Sequence, residues 1–346
     1  MMGGQPAADA DDLVPADLAR LAVRARRRLP RRPAVELTEL GFGAAQGGNL
    51  HRVTTDAEFA SAVAAAWDGG IRYFDTAPHY GLGLSERRLG EALRGRPRDE
   101  YVVSTKVGRL LVPSPETAHR PDPEGFDVPA DLRRVWDFSR DGVRRSLAAS
   151  LERTGLERID IVYLHDPDDH WQQAMDEAIP ALVELRDQGV VGAIGAGMNQ
   201  SAMLARFVVE TDIDVVMCAG RFTLLDQSAL TDLLPAAAER GVGVVAAGVY
   251  NSGLLASDRP GSGATYDYLP AAPELIGRVE RMAEVCGTHG VTLPDAALAY
   301  ARSHPAVVSA VIGVRNATQV AETLRRASAT VPDGLWSALG LAGTHR

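Results

Sequence analysis

Four residues of unlike chemistry occupy comparable places in the sequence, each at or just after the point where an apolar run gives way to a polar turn: Asp75, Tyr80, Lys106 and His165. A carboxylate, a phenol, an ammonium and an imidazole together make a proton-transfer set. A phenol with a pKa near ~10 is a poor acid or base at neutral pH, but a buried ammonium beside it favours the phenolate. Lys106 would supply that charge, and Asp75 the carboxylate that offsets the cost of burying it. His165 would orient a carbonyl or hydroxyl oxygen by donating a hydrogen bond. Lys106 stands out for a second reason: among 36 basic residues it is the single lysine, the remainder being arginine. A solvated surface charge is served equally by either residue, so a retained lysine marks a site that needs a compact, titratable ammonium. Taken singly, each residue also has a plain structural reading: Asp75 as a helix cap, Tyr80 as a loop aromatic, His165 as a core histidine, Lys106 as a surface charge.

Bringing these four together requires elements that end at one place. From about residue 35 the chain repeats an apolar, β-branched run followed by a stretch with helical spacing. Eight such runs cover residues 39–45, 71–77, 101–107, 159–166, 191–198, 214–220, 242–248 and 307–314. Helical patterns between them include 56–68, 85–93, 139–154, 173–188, 228–240 and 316–327. Near-continuous apolar strands alternating with helices predict a parallel sheet covered on both faces, and eight of them predict a single closed (β/α)8 TIM barrel. An open dinucleotide-binding sheet is disfavoured, because no strand runs into a G-x-G-x-x-G turn and the Gly195, Ala196, Gly197 sequence is too short a match. The four residues then fall at the C-terminal ends of strands two, three and four, where barrel enzymes keep their chemistry. Two long insertions, 113–138 and 251–273, follow strands and so predict long loops on that same face.

Composition narrows the partners. The net charge of -9 argues against nucleic acid, which is held by surplus Lys and Arg. No apolar run approaches the length that spans a bilayer, and no signal-peptide core is visible, so the expected compartment is the cytoplasm and no membrane partner is expected. Cys218 and Cys286 show neither C-x-x-C nor zinc-ligand spacing, so no metal is expected and a reducing compartment fits. Residues 1–33 combine an acidic stretch (Asp9, Asp11, Asp12) with an Arg-rich one (Arg24, Arg26, Arg27, Arg28, Arg31, Arg32), read as a disordered arm or short exposed helix; residues 34–343 form the barrel. The oligomeric state is left open.

Three separated blocks carry a resemblance: GIRYFDTAPHYGLGLSERRLGEAL at 70–93, VVSTKVGR at 102–109 and DIVYLHDPD at 160–168. In their order and content the chain resembles the aldo-keto reductase superfamily from about residue 35 to 327, and looks most like its branch of D-threo-aldose, L-galactose and pyridoxal dehydrogenases. The resemblance implies a catalytic tetrad of Asp75, Tyr80, Lys106 and His165, with Tyr80 as general acid or base. It implies a nicotinamide dinucleotide, NAD or NADP, lying across the barrel mouth, with Asn199, Gly313, Arg315, Gln319 and Glu322 among its contacts. Two family features are missing: Met198 stands before Asn199 where a serine is usual, and Met217, Cys218 and Ala219 stand where a glutamine is usual in strand six. Members preferring NADP commonly carry an arginine at the position of Gln319, so the resemblance leans to NAD, while Arg315 keeps NADP open.

The implied activity is hydride transfer between the cofactor and a small-molecule substrate, an aldose or other carbonyl or alcohol, with oxidation of an aldose at C1 preferred. Candidate substrate contacts are Arg109, Trp136, Arg221 and Tyr250, with Tyr266 beside them. The alternatives are an NADPH-dependent reductase of aldehydes and ketones, a Schiff-base lyase using Lys106 as nucleophile, and a non-catalytic dinucleotide-binding regulator.

Overall fold

The computed structural model describes residues 25–261, 263–267 and 269–341. Eight parallel strands close into a barrel: β1 (Leu40–Gly43), β2 (Tyr73–Asp75), β3 (Val102–Val107), β4 (Ile161–His165), β5 (Ala193–Met198), β6 (Val215–Ala219), β7 (Gly243–Ala247) and β8 (Val307–Gly313). Pairing of β8 with β1, Val311 opposite Gly41, completes the ring. Helices α1 (Asp56–Asp68), α2 (Leu84–Leu93), α3 (Arg140–Thr154), α4 (Ile179–Asp187), α5 (Ser201–Glu210), α6 (Leu233–Arg240), α7 (Pro273–Thr288), α8 (Leu293–Ala301) and α9 (Ala317–Ala327) pack outside. Their apolar faces and the outward residues of the strands form one continuous core, including Phe42, Phe59, Phe74, Leu89, Leu164, Phe207 and Val244.

Sequence rules explain where helices begin. Thr55 caps α1 by accepting from Glu58 N at 3.1 Å, while the Glu58 carboxylate accepts from Thr55 N at 2.9 Å. The helix expected over 173–188 is composite: one turn at Trp171–Gln173, a π-helical stretch at Ala174–Ala178, then α4. Pro180 explains the interruption, since it has no N–H to donate to the preceding turn and its ring crowds the carbonyl there. The helix expected over 228–240 is likewise split, because Asp232 caps α6 by accepting from Leu233 N at 2.6 Å.

The expectation of an arm or exposed helix over residues 26–33 is corrected. Arg26–Leu29 and Arg32–Thr38 form an antiparallel hairpin. Leu29, Val35 and Leu37 join Ile161, Ala193, Val215, Val245 and Val308 in the second core cluster, inside the barrel. The arginines between them face outward and are paired: Arg27 with Glu39 at 2.7 Å, Arg28 with Glu36 at 2.7 Å, Arg32 with Asp214 at 3.0 Å, and Arg31 with Asp212. The alternation of two makes this a strand, and the acidic partners lie far along the chain where local reading does not see them. Asp9, Asp11, Asp12 and Arg24 lie outside the described residues. No helix among the described residues is long and apolar enough to cross a membrane.

Candidate active site

The C-terminal ends of β2, β3 and β4 bring the four sequence-selected residues together. Asp75 and Lys106 are both buried at 2% exposure. Lys106 Nζ donates to Asp75 Oδ2 at 2.7 Å, to the Thr76 carbonyl at 3.1 Å and to Tyr80 Oη at 3.0 Å. Burial alone would depress the lysine pKa, but the attached Asp75 carboxylate outweighs it, and the net shift is upward. Lys106 is therefore an ammonium, aimed at the phenol.

Tyr80 leaves the barrel on a turn whose backbone is clasped by glycines. A Cβ on Gly48 would lie 2.5 Å from the Tyr80 carbonyl carbon, and one on Gly81, at φ 61°, would lie 2.3 Å from the Gly48 oxygen. The turn continues into α2, whose Ser85 donates to the Ala44 carbonyl at 2.7 Å. Tyr80 is thus locked between the β1 and β2 loops.

His165 ends β4 with its ring edge-on to Tyr80, centroids 5.9 Å apart. Burial, then the charges of Arg109 and Lys106, push its pKa well below the ordinary value, so the imidazole is neutral and keeps one N–H to donate. His79, which sequence reasoning passed over, stacks edge-on to His165 at 5.5 Å and accepts from Arg109 Nη1 at 3.2 Å through Nδ1. Burial, reinforced by Arg109 and Arg134, lowers its pKa to about 2.

Above the tetrad, Arg109 pairs with Asp166 and lies over the Trp136 ring at 4.2 Å. Asp166 Oδ2 is 3.6 Å from His165 Nε2, and its backbone is left-handed at φ 46°, a conformation Asp tolerates better than most residues. Burial raises its pKa despite Arg109. The long loop after β3 begins as a hairpin, Arg109–Pro113 against Leu132–Trp136. Arg134 of that hairpin pairs with Asp122 at 2.6 Å and donates to the His79 carbonyl at 2.7 Å, and Phe126 covers both His79 and Tyr80.

The remaining sequence candidates lie around the rest of the mouth. Asn199, half-buried after β5, makes no side-chain hydrogen bond among the described residues. Gly313 ends β8 against Gln46: a Cβ there would meet Gln46 Nε2 at 2.6 Å. Gln46 Oε1 is buried without a partner among the described residues. An unanswered acceptor beside a bare glycine, with the Asn199 amide across the mouth, fits the hydroxyl and carboxamide groups of a nicotinamide nucleoside.

Arg315, just after β8, turns its side chain to the 50–54 loop. It is 7% exposed, and its guanidinium donates to the Arg52 carbonyl at 3.0 Å, the Leu50 carbonyl at 2.7 Å and the Thr54 hydroxyl. Gln319 is equally committed, accepting from Arg315 N at 2.7 Å, and Glu322 pairs with Arg326. Arg221 and Tyr250 are engaged on the opposite rim. Arg221 holds Asp267 at 2.8 Å and Asp226 at 3.6 Å, fastening the small hairpin Thr265–Tyr266 and Leu269–Pro270 of the post-β7 loop to the β6 loop. Tyr266 Oη donates to Asp226 at 3.5 Å, and Tyr250 lies under Arg326.

A parallel eight-stranded barrel thus carries, at one mouth, a buried Lys, Asp and Tyr cluster and a neutral histidine, a set able to hold and move a proton. The profile described as "Aldo/keto reductase family" matches residues 39–339, and the chain belongs to that family, whose enzymes use nicotinamide cofactors. It is 50% identical to D-threo-aldose 1-dehydrogenase from Pseudomonas sp over 308 residues, 88% of this chain and 93% of that one. It is 36% identical to pyridoxal 4-dehydrogenase from Microbacterium luteolum, covering 92% and 97%, and 31% identical to L-galactose dehydrogenase from Arabidopsis thaliana, covering 84% of each. Among solved structures it resembles the holo form of an aldo-keto reductase from Bacillus halodurans, with a TM-score of 0.71 and 25% identity over 93% of this chain and 98% of the other.

Proposed function

We propose that the enzyme oxidises an aldose at C1 with NAD, and that Asp75, Tyr80, Lys106 and His165 are its catalytic residues. When bound, the cofactor accepts the hydride that leaves C1. Tyr80, as phenolate, takes the proton of the C1 hydroxyl; Lys106 stabilises that phenolate across 3.0 Å, and Asp75 holds Lys106 in place. Neutral His165 donates to the substrate oxygen and fixes its direction. The observation that carries the reading is this unbroken Asp75, Lys106, Tyr80 chain facing a neutral imidazole.

The aldose preference rests on the relatives' activities, and the rim suits it. Arg109 and Asp166 offer hydroxyl partners, and Trp136, 45% exposed as a residue, adds an aromatic surface beside them. Asn199, Gly313 and Gln46 are the residues we assign to the nicotinamide side of the dinucleotide. NAD is preferred to NADP because the Arg315 guanidinium is occupied by the 50–54 loop and Gln319 is neutral. The Schiff-base alternative finds no support, since a nucleophilic amine must be unprotonated and Asp75 holds Lys106 as the ammonium. Two free, buried cysteines suit a reducing compartment, which we take to be the cytoplasm.

The test follows formation of reduced nicotinamide near ~pH 9, an alkaline pH that favours the phenolate, with NAD and NADP in parallel against L-fucose, D-arabinose, L-galactose and pyridoxal, then aldehyde reduction with the reduced cofactors. Turnover of an aldose with NAD is expected. Turnover confined to NADPH and simple aldehydes would replace this reading by the reductase one.

A further inference from the structure

Directly beneath the tetrad lies a buried chain of hydroxyls for which the reaction above has no use. Tyr163 Oη is 3.1 Å from Tyr73 Oη, Tyr73 Oη is 3.0 Å from Ser104 Oγ, and Ser104 Oγ is 2.7 Å from Asp75 Oδ1. All three side chains are fully buried. Each stands two residues before a tetrad member on its own strand: 73 before 75, 104 before 106, 163 before 165. The strand period of two therefore points them to the same face as the tetrad, one step deeper in the barrel.

The end of the chain fixes its direction. An ionised carboxylate only accepts, so Ser104 donates to Asp75, leaving its oxygen to accept from Tyr73, whose oxygen accepts from Tyr163. Burial raises the pKa of both phenols, so they remain neutral donors. Tyr163 and Tyr73 otherwise sit among Leu37, Ile161, Ala193, Val215 and Val311. A proton relay needs an outlet, and this apolar cluster offers none among the described residues. What the chain provides is a row of aligned dipoles, positive ends toward Asp75.

We propose that Tyr163, Tyr73 and Ser104 form a positioning chain that fixes Asp75 against Lys106 and sets how strongly the ammonium favours the Tyr80 phenolate. The proposal rests on the reading of Tyr80 as proton acceptor. Asp75 divides its oxygens, Oδ1 to Ser104 and Oδ2 to Lys106. Without the Ser104 hydroxyl, the carboxylate charge falls more fully on Lys106 and cancels more of its field at Tyr80. Loss of the dipole itself acts in the same sense. The other groups facing this cluster are His165 from β4, His79 from the β2 loop, Arg109 paired with Asp166, and Arg134 paired with Asp122, and none of these is altered by the substitutions.

The experiment compares Ser104→Ala, Tyr73→Phe, Tyr163→Phe, Ser104→Cys and Tyr80→Phe, following oxidation of L-fucose by NAD across the neutral-to-alkaline range, and tyrosinate absorbance in the enzyme without cofactor. In Ser104→Ala the rising limb moves up by about half a unit to one pH unit. The neutral-pH rate falls about three- to tenfold and recovers at high pH. Tyr73→Phe shows a smaller displacement and Tyr163→Phe the smallest, and Ser104→Cys restores part of it. The tyrosinate signal that Tyr80→Phe removes titrates correspondingly higher in Ser104→Ala. Unmoved limbs and titrations in all three hydroxyl deletions, whatever their melting temperatures, would reduce the chain to packing and overturn the proposal. A Tyr80→Phe enzyme with undiminished turnover would instead overturn the catalytic reading beneath it.

Discussion

Replacing Asp75 by Asn keeps the shape and an acceptor but removes the charge that balances Lys106. Both side chains are 3% exposed, so the ammonium left behind has no counter-charge, only neutral acceptors such as the Thr76 carbonyl at 3.1 Å and Tyr80 Oη at 3.0 Å. Breaking one partner out of a buried ion pair costs about 3–5 kcal/mol at neutral pH. Unfolding 346 residues carries an entropy of about 0.7 kcal/mol/K at roughly 2.1 cal/mol/K each, so the melting temperature should fall by roughly 4–7 °C. The pH dependence gives a sharper signature. In the wild type the Lys106 pKa is raised, so its contribution to stability is complete below the ordinary lysine value and is lost only as pH climbs through the raised one. In Asp75→Asn, burial is no longer offset and the folded-state pKa drops below that of the unfolded chain. The variant then binds its proton more weakly when folded and gains stability as pH rises toward the ordinary lysine pKa. The gap between the two proteins should be widest in mild acid and narrow steadily into the alkaline range, as read by urea unfolding or calorimetry at a series of pH values. Equal stabilities, or a gap independent of pH, would refute the claim that Asp75 is what keeps a buried ammonium in this barrel.

Three further outcomes follow from the rim and the imidazoles. Arg315→Met deletes donors to Arg52, Leu50 and Thr54 and should cost about 1–3 kcal/mol of stability while leaving the ratio of kcat/KM for NAD and NADP unchanged; a loss confined to NADP would show that this guanidinium reads a 2′-phosphate. Asp267→Asn opens the clasp on Arg221 and should lower stability by up to about 1 kcal/mol, the value of a part-exposed pair, as read by urea unfolding; an unchanged midpoint would show that the pair does not fasten the hairpin. The depressed His165 pKa keeps the ring neutral through mild acid, so the pH profile should carry no inflection near the ordinary histidine value, and His165→Asn should lower kcat without creating or removing one. An inflection there that vanished in the variant would contradict the neutral assignment.

The barrel was legible because its strands are apolar runs that alternate with stretches of helical spacing. The tetrad was legible because ionisable groups are rare at such strand ends, and a lone lysine among arginines is rarer. The 26–38 hairpin was not, since its arginines mask a period of two and their carboxylates lie as far away as Asp212 and Asp214. The partners of the Arg315 guanidinium were not legible either: they are backbone carbonyls at residues 50 and 52 and the Thr54 hydroxyl, and no side-chain pattern announces a carbonyl. Asp166 and His79 sit beside tetrad members in sequence, yet only the left-handed turn at 166 and the fork of Arg109 turn them toward the mouth. Ser104, Tyr73 and Tyr163 had a signal that went unread: polar residues at i−2 from three tetrad members in otherwise apolar strands.

The most direct test of the account is the pH dependence of NAD-linked aldose oxidation by the wild type beside Tyr80→Phe. The wild-type rate should rise with pH as one group ionises, and the variant should bind dinucleotide normally but turn over slower by about 10² to 10⁴ with that rise abolished. A variant turning over at the wild-type rate with the same pH profile would contradict it.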